Sequence, residues 1–228
     1  MPFRIGFIVF PNITQLDMTG PHEVFARCPG TEVHLAWKTL EPVTAQGGMR
    51  LLPSTTFATC PQLDLVCVPD GPGMNPLLGD EETLAFLRRQ AAGARYVTAV
   101  CTGALVLGAA GLLQGKRATT HWMSHHLLAA FGATPVAERI VIDGNVITGG
   151  GVTAGIDFAL KIAAELAGEE TAKTIQLAIE YDPHPPFAAG SPQAAGAALV
   201  ARQREGSAKS QSVREEAVQQ AARRLAGA

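Results

Sequence analysis

Charge is scarce in this sequence. Asp, Glu, Lys and Arg make up 17% of 228 residues, and 18 Lys and Arg nearly balance 20 Asp and Glu. No basic stripe is present, which argues against nucleic acid as a partner. Cysteine is sparse too: Cys28, Cys60, Cys67 and Cys101 are separated by 32, 7 and 34 positions. No CxxC pair occurs, so neither a thiolate metal site nor a disulfide framework is expected. Gly 24 and Pro 15 sum to 39 of 228 residues, too few for a collagen-like or low-complexity chain. The N-terminal apolar run Ile5–Phe10 is too short for a signal segment and lacks a small-residue cleavage site. Tyr96–Gly115 carries no charge over 20 positions, the length of a membrane span. It also holds four glycines with Cys101, Thr102 and Gln114, so it reads as a buried strand followed by an Ala-rich helix. The expectation is a cytoplasmic protein with reduced thiols and no membrane contact.

Apolar residues are plentiful, 47% of the chain, enough for a substantial core. The length suits one domain with an appendage. Strands are expected at Phe3–Phe10, Glu32–Lys38, Leu63–Val68 and Tyr96–Val100, and the last two are apolar enough for burial on both faces. Helical patterns occupy Glu81–Ala92, Thr102–Ala110, His121–Phe131, Val152–Ala167 and Glu169–Tyr181. A further helix begins near Asp17, where Pro21 fits only a first turn. Gly47-Gly48 marks a hairpin excursion within Pro42–Phe57, and Asp143-Gly144 a tight hairpin between Arg139–Ile142 and Asn145–Thr148. Strands alternating with helices predict an α/β domain around a mostly parallel sheet. That domain is expected to span residues 1–192. Pro183–Pro192 reads as an extended linker, and residues 193–228 as a helical arm of two weak Ala-rich helices without a core of their own.

The chemistry centres on Cys101. It lies where the Tyr96–Val100 strand turns into a helix, with Gly103 just beyond. Such an elbow holds a nucleophile on strained backbone at the carboxyl edge of the sheet, where ligands bind. A free thiol titrates near ~8.5, and lowering that to about 6 needs about 3.4 kcal/mol of preference for the thiolate. A helix terminus supplies on the order of 0.3–2 kcal/mol, so another group must also stabilise the sulfur. Asp17, after the first strand, opens on the same edge. It is either a helix cap or a carboxyl that shares one proton with the Cys101 thiol, since a like-charge pair resists double ionisation. A neutral Asp17 beside a thiolate is a poised general acid.

The N–H groups of Gly71 and Thr102 are candidates for an anion hole beside Cys101. Gly149-Gly150-Gly151, before Val152 and Thr153, is either a second cradle or close helix-on-sheet packing. Cys67 is expected in the core, and Cys28 and Cys60 in loops. His121, His125 and His126 lack an HExxH glutamate and any nearby carboxylate, so no metal site and no cofactor is expected.

Pro69-Asp70-Gly71-Pro72-Gly73, Ala99-Val100-Cys101-Thr102-Gly103-Ala104, Ala118–Trp122 and Thr148–Asp157 together resemble the ThiJ/PfpI superfamily. The resemblance spans roughly Phe3 to Ser191. Its intracellular proteases carry Cys-His at the elbow, whereas Cys101-Thr102 stands here. Asp17, Cys101-Thr102 and the tail Asp182–Pro192 are similar to a branch that hydrates isocyanides (isonitriles) to N-substituted formamides. That resemblance implies a flavodoxin-like three-layer sandwich, a homodimer and a small apolar isocyanide substrate. Catalytic roles are implied for Cys101, Asp17 and Thr102, with Gly71, Thr102, Gly150 and Val152 as oxyanion or substrate-binding positions. Two other readings stand beside it. One is a ligand-sensing or glyoxal-detoxifying stress-response homologue. The other is a regulator-derived domain without its DNA-binding half, because only 36 residues follow Pro192.

Overall fold

Seven strands form one sheet in the computed structural model, which describes residues 1–227. In chain order they are β1 (Phe3–Ile8), β2 (Thr31–Trp37), β3 (Thr55–Thr56), β4 (Leu65–Val68), β5 (Tyr96–Val100), β6 (Ile140–Asp143) and β7 (Val146–Gly149). Across the sheet they run β6-β7-β5-β4-β1-β2-β3, and every pair is parallel except β6 with β7. All residues of β4 and β5 are buried, as their unbroken apolar runs require. The β6–β7 hairpin turns at Gly144, whose φ of 64° suits glycine. The Gly47-Gly48 excursion pairs Val43–Thr44 with Arg50–Leu51 before the chain returns as β3.

Helices cover both faces, giving the mostly parallel α/β sandwich that the element pattern predicts. One layer holds α1 (Gln15–Phe25), α4 (Ala154–Ala167) and α5 (Glu169–Ala178), joined to the sheet through Phe7, Phe25 and Phe158. The other holds α2 (Glu81–Ala91), α3 (Gly103–Ala109) and a 3₁₀ helix at Trp122–Phe131. Acidic Glu81 and Glu82 open α2, and Arg88 and Arg89 close it, each suited to the partial charge of its helix end.

Three expectations need correction. Pro21 lies inside α1, not in its first turn. Its missing N–H leaves the carbonyl of Asp17, four residues earlier, without a helical partner. The helix tolerates this because Gly20 and Pro21 pack against Ile156 and Gly155 of α4. Second, Trp122–Phe131 has three residues per turn, not 3.6, which places Ser124 and Leu127 together on the buried side. Third, the arm is a four-residue turn at Pro192–Ala195 followed by one 30-residue helix, α6 (Ala197–Ala226). It lies back on its own chain. Val218 and Ala221 are buried, Arg214 donates to Ser124 Oγ at 3.0 Å, and Arg224 donates to the Leu78 carbonyl at 3.0 Å. No helix among the described residues is long and apolar enough to cross a membrane.

Candidate active site

The carboxyl ends of β1, β4 and β5 bring three side chains together. Cys101 follows β5 with φ at 55°, a left-handed conformation that costs a non-glycine residue about 1–2 kcal/mol. Two hydrogen bonds hold the elbow: its N–H donates to the Gly149 carbonyl at 3.0 Å, and its carbonyl accepts from Thr120 Oγ1 at 2.7 Å. Gly103 lets α3 approach β4 closely, since a Cβ there would stand 2.1 Å from the Val68 carbonyl oxygen. That contact sets Cys101 against the end of β4, where Asp70 lies.

Asp70 is the residue the sequence reading missed. Its Oδ2 accepts from Cys101 Sγ at 2.9 Å, and its Oδ1 accepts from Thr102 Oγ1. Its carbonyl also accepts from Thr14 N–H at 2.7 Å, and Thr14 is the residue just before α1. Beside it Gly71 takes φ of 149° and packs on the loop after β1, with a Cβ there 2.3 Å from the Asn12 carbonyl oxygen. The start of α1 is thereby fastened to Asp70, and Asp17 in its first turn enters the same space.

Asp17, Asp70 and Cys101 offer ligand atoms within 4.8 Å of one another. A divalent cation would find one oxygen from each carboxylate and the sulfur there. Asp17 is fully buried, and neither carboxyl oxygen has a hydrogen-bond partner among the described residues. The cap reading is therefore wrong, and the carboxyl faces the sulfur unpaired. Burial first, and the Asp70 charge second, push its pKa up to about 8; the nearby Asp70 N–H offsets this in part without completing a hydrogen bond. A neutral Asp17 at pH 7 follows.

The Cys101 thiol is set between opposing influences. Burial, then the charges of Asp70 and Asp17, hold its pKa well above the ordinary thiol range; the Thr102 N–H opposes them. The sequence left two forms open, a thiolate beside a neutral Asp17 and a neutral thiol, and Asp70, with Oδ2 2.9 Å from Sγ, bears on both. The sequence reading weighed a helix terminus and Asp17, without the depth of burial or the second carboxylate.

A cavity of about 600 Å³ lies beyond Thr120, and Cys101, Asp17 and Asp70 are not among its walls. Gly150, Val152, Thr120, His121 and Trp122 are among its walls, with Gly190–Pro192 from the end of the linker. Cys101 is only 2% exposed and is linked to the cavity wall through its carbonyl, which accepts from Thr120. The Gly150 N–H donates to the Arg139 carbonyl at 2.9 Å, so it is not free for an anion. Gly149 packs against Phe158 and Ala154, the close packing alternative. His121 and His125 line the cavity, while His126 faces Glu215 on α6. Cys67 is in the core, and all four cysteines are free.

The DJ-1/PfpI family model matches residues 3–165. The chain belongs to this family. Across nearly its whole length it is similar to the isonitrile hydratase of Pseudomonas putida, 57% identical over 225 residues, covering 99% of both chains. A crystal structure of a ThiJ/PfpI family protein from Pseudomonas syringae superposes with a TM-score of 0.92 at 42% identity, covering 97% of this chain and 91% of that one. An HTH-type transcriptional regulator of Pseudomonas aeruginosa is 30% identical over 190 residues, 79% of this chain but 51% of that protein. The DJ-1/PfpI elbow is thus built here around Cys101-Thr102, with a carboxylate at position 70 bonded to both.

Proposed function

We propose that the protein hydrates isocyanides to N-substituted formamides through a thioimidate on Cys101. The observation that carries this reading is the unpaired, neutral Asp17 carboxyl within 4.8 Å of the Cys101 sulfur. The terminal carbon of R–N≡C must gain both a nucleophile and a proton, and these two groups supply both. Full-length likeness to an isonitrile hydratase supplies the substrate class.

Starting from the thiolate and a neutral Asp17, sulfur adds to the carbon as Asp17 protonates it, giving R–N=CH–S–Cys101 and ionised Asp17. Water then attacks, with Asp17 now taking its proton and passing one to nitrogen. The tetrahedral adduct expels the thiolate, gives its hydroxyl proton to Asp17 and releases the formamide. The Thr102 N–H favours negative charge on sulfur during both steps, and Gly71 is the candidate donor to the tetrahedral oxygen. The cavity bounded by Gly150 and Val152 houses the apolar R group. The setting we infer is a cytoplasmic homodimer without cofactor, compatible with four free thiols.

The test is incubation with cyclohexyl isocyanide and, separately, methylglyoxal, using wild type and Cys101→Ala. Wild type should yield N-cyclohexylformamide and a transient intact-mass adduct equal to the isocyanide. Cys101→Ala should yield neither. Formamide surviving Cys101→Ala overturns the covalent route, and turnover of methylglyoxal alone overturns the substrate assignment.

A further inference from the structure

The peptide unit joining Cys101 to Thr102 faces two ways. Its N–H is the Thr102 donor that favours charge on the sulfur. Its carbonyl accepts from Thr120 Oγ1 at 2.7 Å and, at the long distance of 3.4 Å, from the Ala104 N–H. The Thr120 hydroxyl is therefore the principal partner of that oxygen. A trans peptide is flat, with its C=O and N–H on opposite sides, so a bond that fixes one sets the direction of the other. The peptide unit before Cys101 is held as well, through its N–H to the Gly149 carbonyl at 3.0 Å. Between these two restraints Cys101 keeps its φ of 55°.

We propose that Thr120 is a positioning residue for the reaction, its hydroxyl holding the Cys101 carbonyl so that the Thr102 N–H stays aimed at the sulfur. The reaction itself rests on the hydratase reading, whereas the aim of the donor does not. Thr120 is placed firmly enough to do this. It is only 3% exposed, and the preceding Thr119 N–H donates to Oγ1 of fully buried Thr148 in β7 at 2.9 Å. Among the described residues the Thr120 hydroxyl bonds to nothing but the Cys101 carbonyl, so its one hydrogen is not divided between acceptors. A hydrogen bond accepted at the carbonyl also polarises the amide, which makes its N–H a stronger donor. Thr120 is at the same time a wall of the cavity, so binding of the R group and the aim of the donor must be read apart.

The experiment uses the full chain with Thr120→Val, which keeps the shape and loses the hydroxyl, and Thr120→Ser, which keeps the hydroxyl. Circular dichroism checks the fold of each. Formamide production from cyclohexyl isocyanide gives kcat and KM, and iodoacetamide alkylation of Cys101 near pH 7 is followed beside it. Losing a donor outright costs about 10²–10³-fold in kcat, so a misaimed one should cost about 10–100-fold in Thr120→Val. KM should stay within about twofold, because the loss falls on the chemical steps. Alkylation should slow about three- to tenfold, as the sulfur anion loses support. Thr120→Ser should restore both rates to within about threefold of wild type. Should Thr120→Val not fold, Thr120→Ala loses the same hydroxyl without adding bulk and takes its place.

A folded Val or Ala variant with wild-type kcat and alkylation overturns the proposal. So does Thr120→Ser as impaired as Thr120→Val, or an effect confined to KM. A wild type that makes no formamide overturns the hydratase reading instead, and alkylation of the variants then decides by itself whether Thr120 aims the donor.

Discussion

Asp17 and Asp70 present carboxyl oxygens within 4.8 Å of one another, yet only Asp70 has hydrogen-bond partners among the described residues. That asymmetry separates two chemically identical side chains. For Asp17 burial and the Asp70 charge outweigh the nearby Asp70 N–H, so its neutral form is favoured. Asp70 accepts from the Cys101 thiol and the Thr102 hydroxyl.

The acid role proposed for Asp17 fixes the pH profile. The carboxyl loses its proton as pH rises through about 8, so kcat/KM for isocyanide should fall above that point. The expected slope is about tenfold per pH unit for loss of one proton. Asp17→Asn should abolish most turnover and remove the break. A wild-type profile flat to about pH 10 would exclude Asp17 as the proton donor.

Stability should respond to the same group with a definite sign. The carboxyl has pKa about 8 when folded and 3.8 as a free side chain. A raised pKa means that its contribution is fully present below 3.8 and is lost as pH rises through about 8. Asp17→Asn carries no such proton. Its stability relative to wild type should therefore climb across that window by up to about 1.4 kcal/mol per pH unit, then level off. Urea unfolding at about pH 5, 7 and 9 measures this. A pH-independent difference would mean that Asp17 is ionised in the folded protein.

Gly103 tests how closely the site depends on backbone contact. An alanine Cβ would stand 2.1 Å from the Val68 oxygen and 2.7 Å from that of Pro69, and neither is a side chain able to swing away. Gly103→Ala should cost about 3 kcal/mol and displace Asp70 from Cys101, lowering activity further than the stability loss explains. Gly206→Ala is the contrast. It lies within α6 with nothing within 4 Å, so it should gain about 0.5–1 kcal/mol. Thermal melts of the two variants should move in opposite directions.

Much of this fold was legible because its signals are local. Unbroken apolar runs mark the buried strands β4 and β5, and Asp143-Gly144 marks the hairpin. The elbow at Cys101 and the neighbourhood of Asp17 followed from strand ends sharing one sheet edge. Asp70 was not legible as a site residue, although it follows β4 at that same edge, because Asp-Gly-Pro-Gly reads fully as a turn. Its bond to Cys101 depends on Gly103 and the Thr14 tether, contacts 31 or more residues apart in sequence. The opposing influences on the Cys101 thiol were hidden for the same reason, since burial depth is a tertiary property. Pro21 within α1 shows packing against α4 overriding a local helix rule.

The arm offers a prediction independent of the chemistry. Along the 30 residues of α6, only Val218 and Ala221 are buried. A helix with so little apolar surface is held by tertiary contacts more than by its own propensity. Placing a charge at Val218 removes the main apolar contact and strands a carboxylate against the layer beneath. Val218→Asp should release α6 while leaving the sheet and its aromatic contacts intact. Trypsin should then cut at Arg202, Arg204 and Lys209 at least about tenfold faster, as local opening becomes easy. The melting midpoint of the sheet should move by only a few degrees, roughly the effect of about 1 kcal/mol. Because Arg204 lines the cavity, affinity for isocyanide should also weaken in KM, with kcat less affected. Cleavage at the wild-type rate would mean that Val218 does not anchor the arm, and the Arg214 and Arg224 hydrogen bonds would then have to carry that attachment.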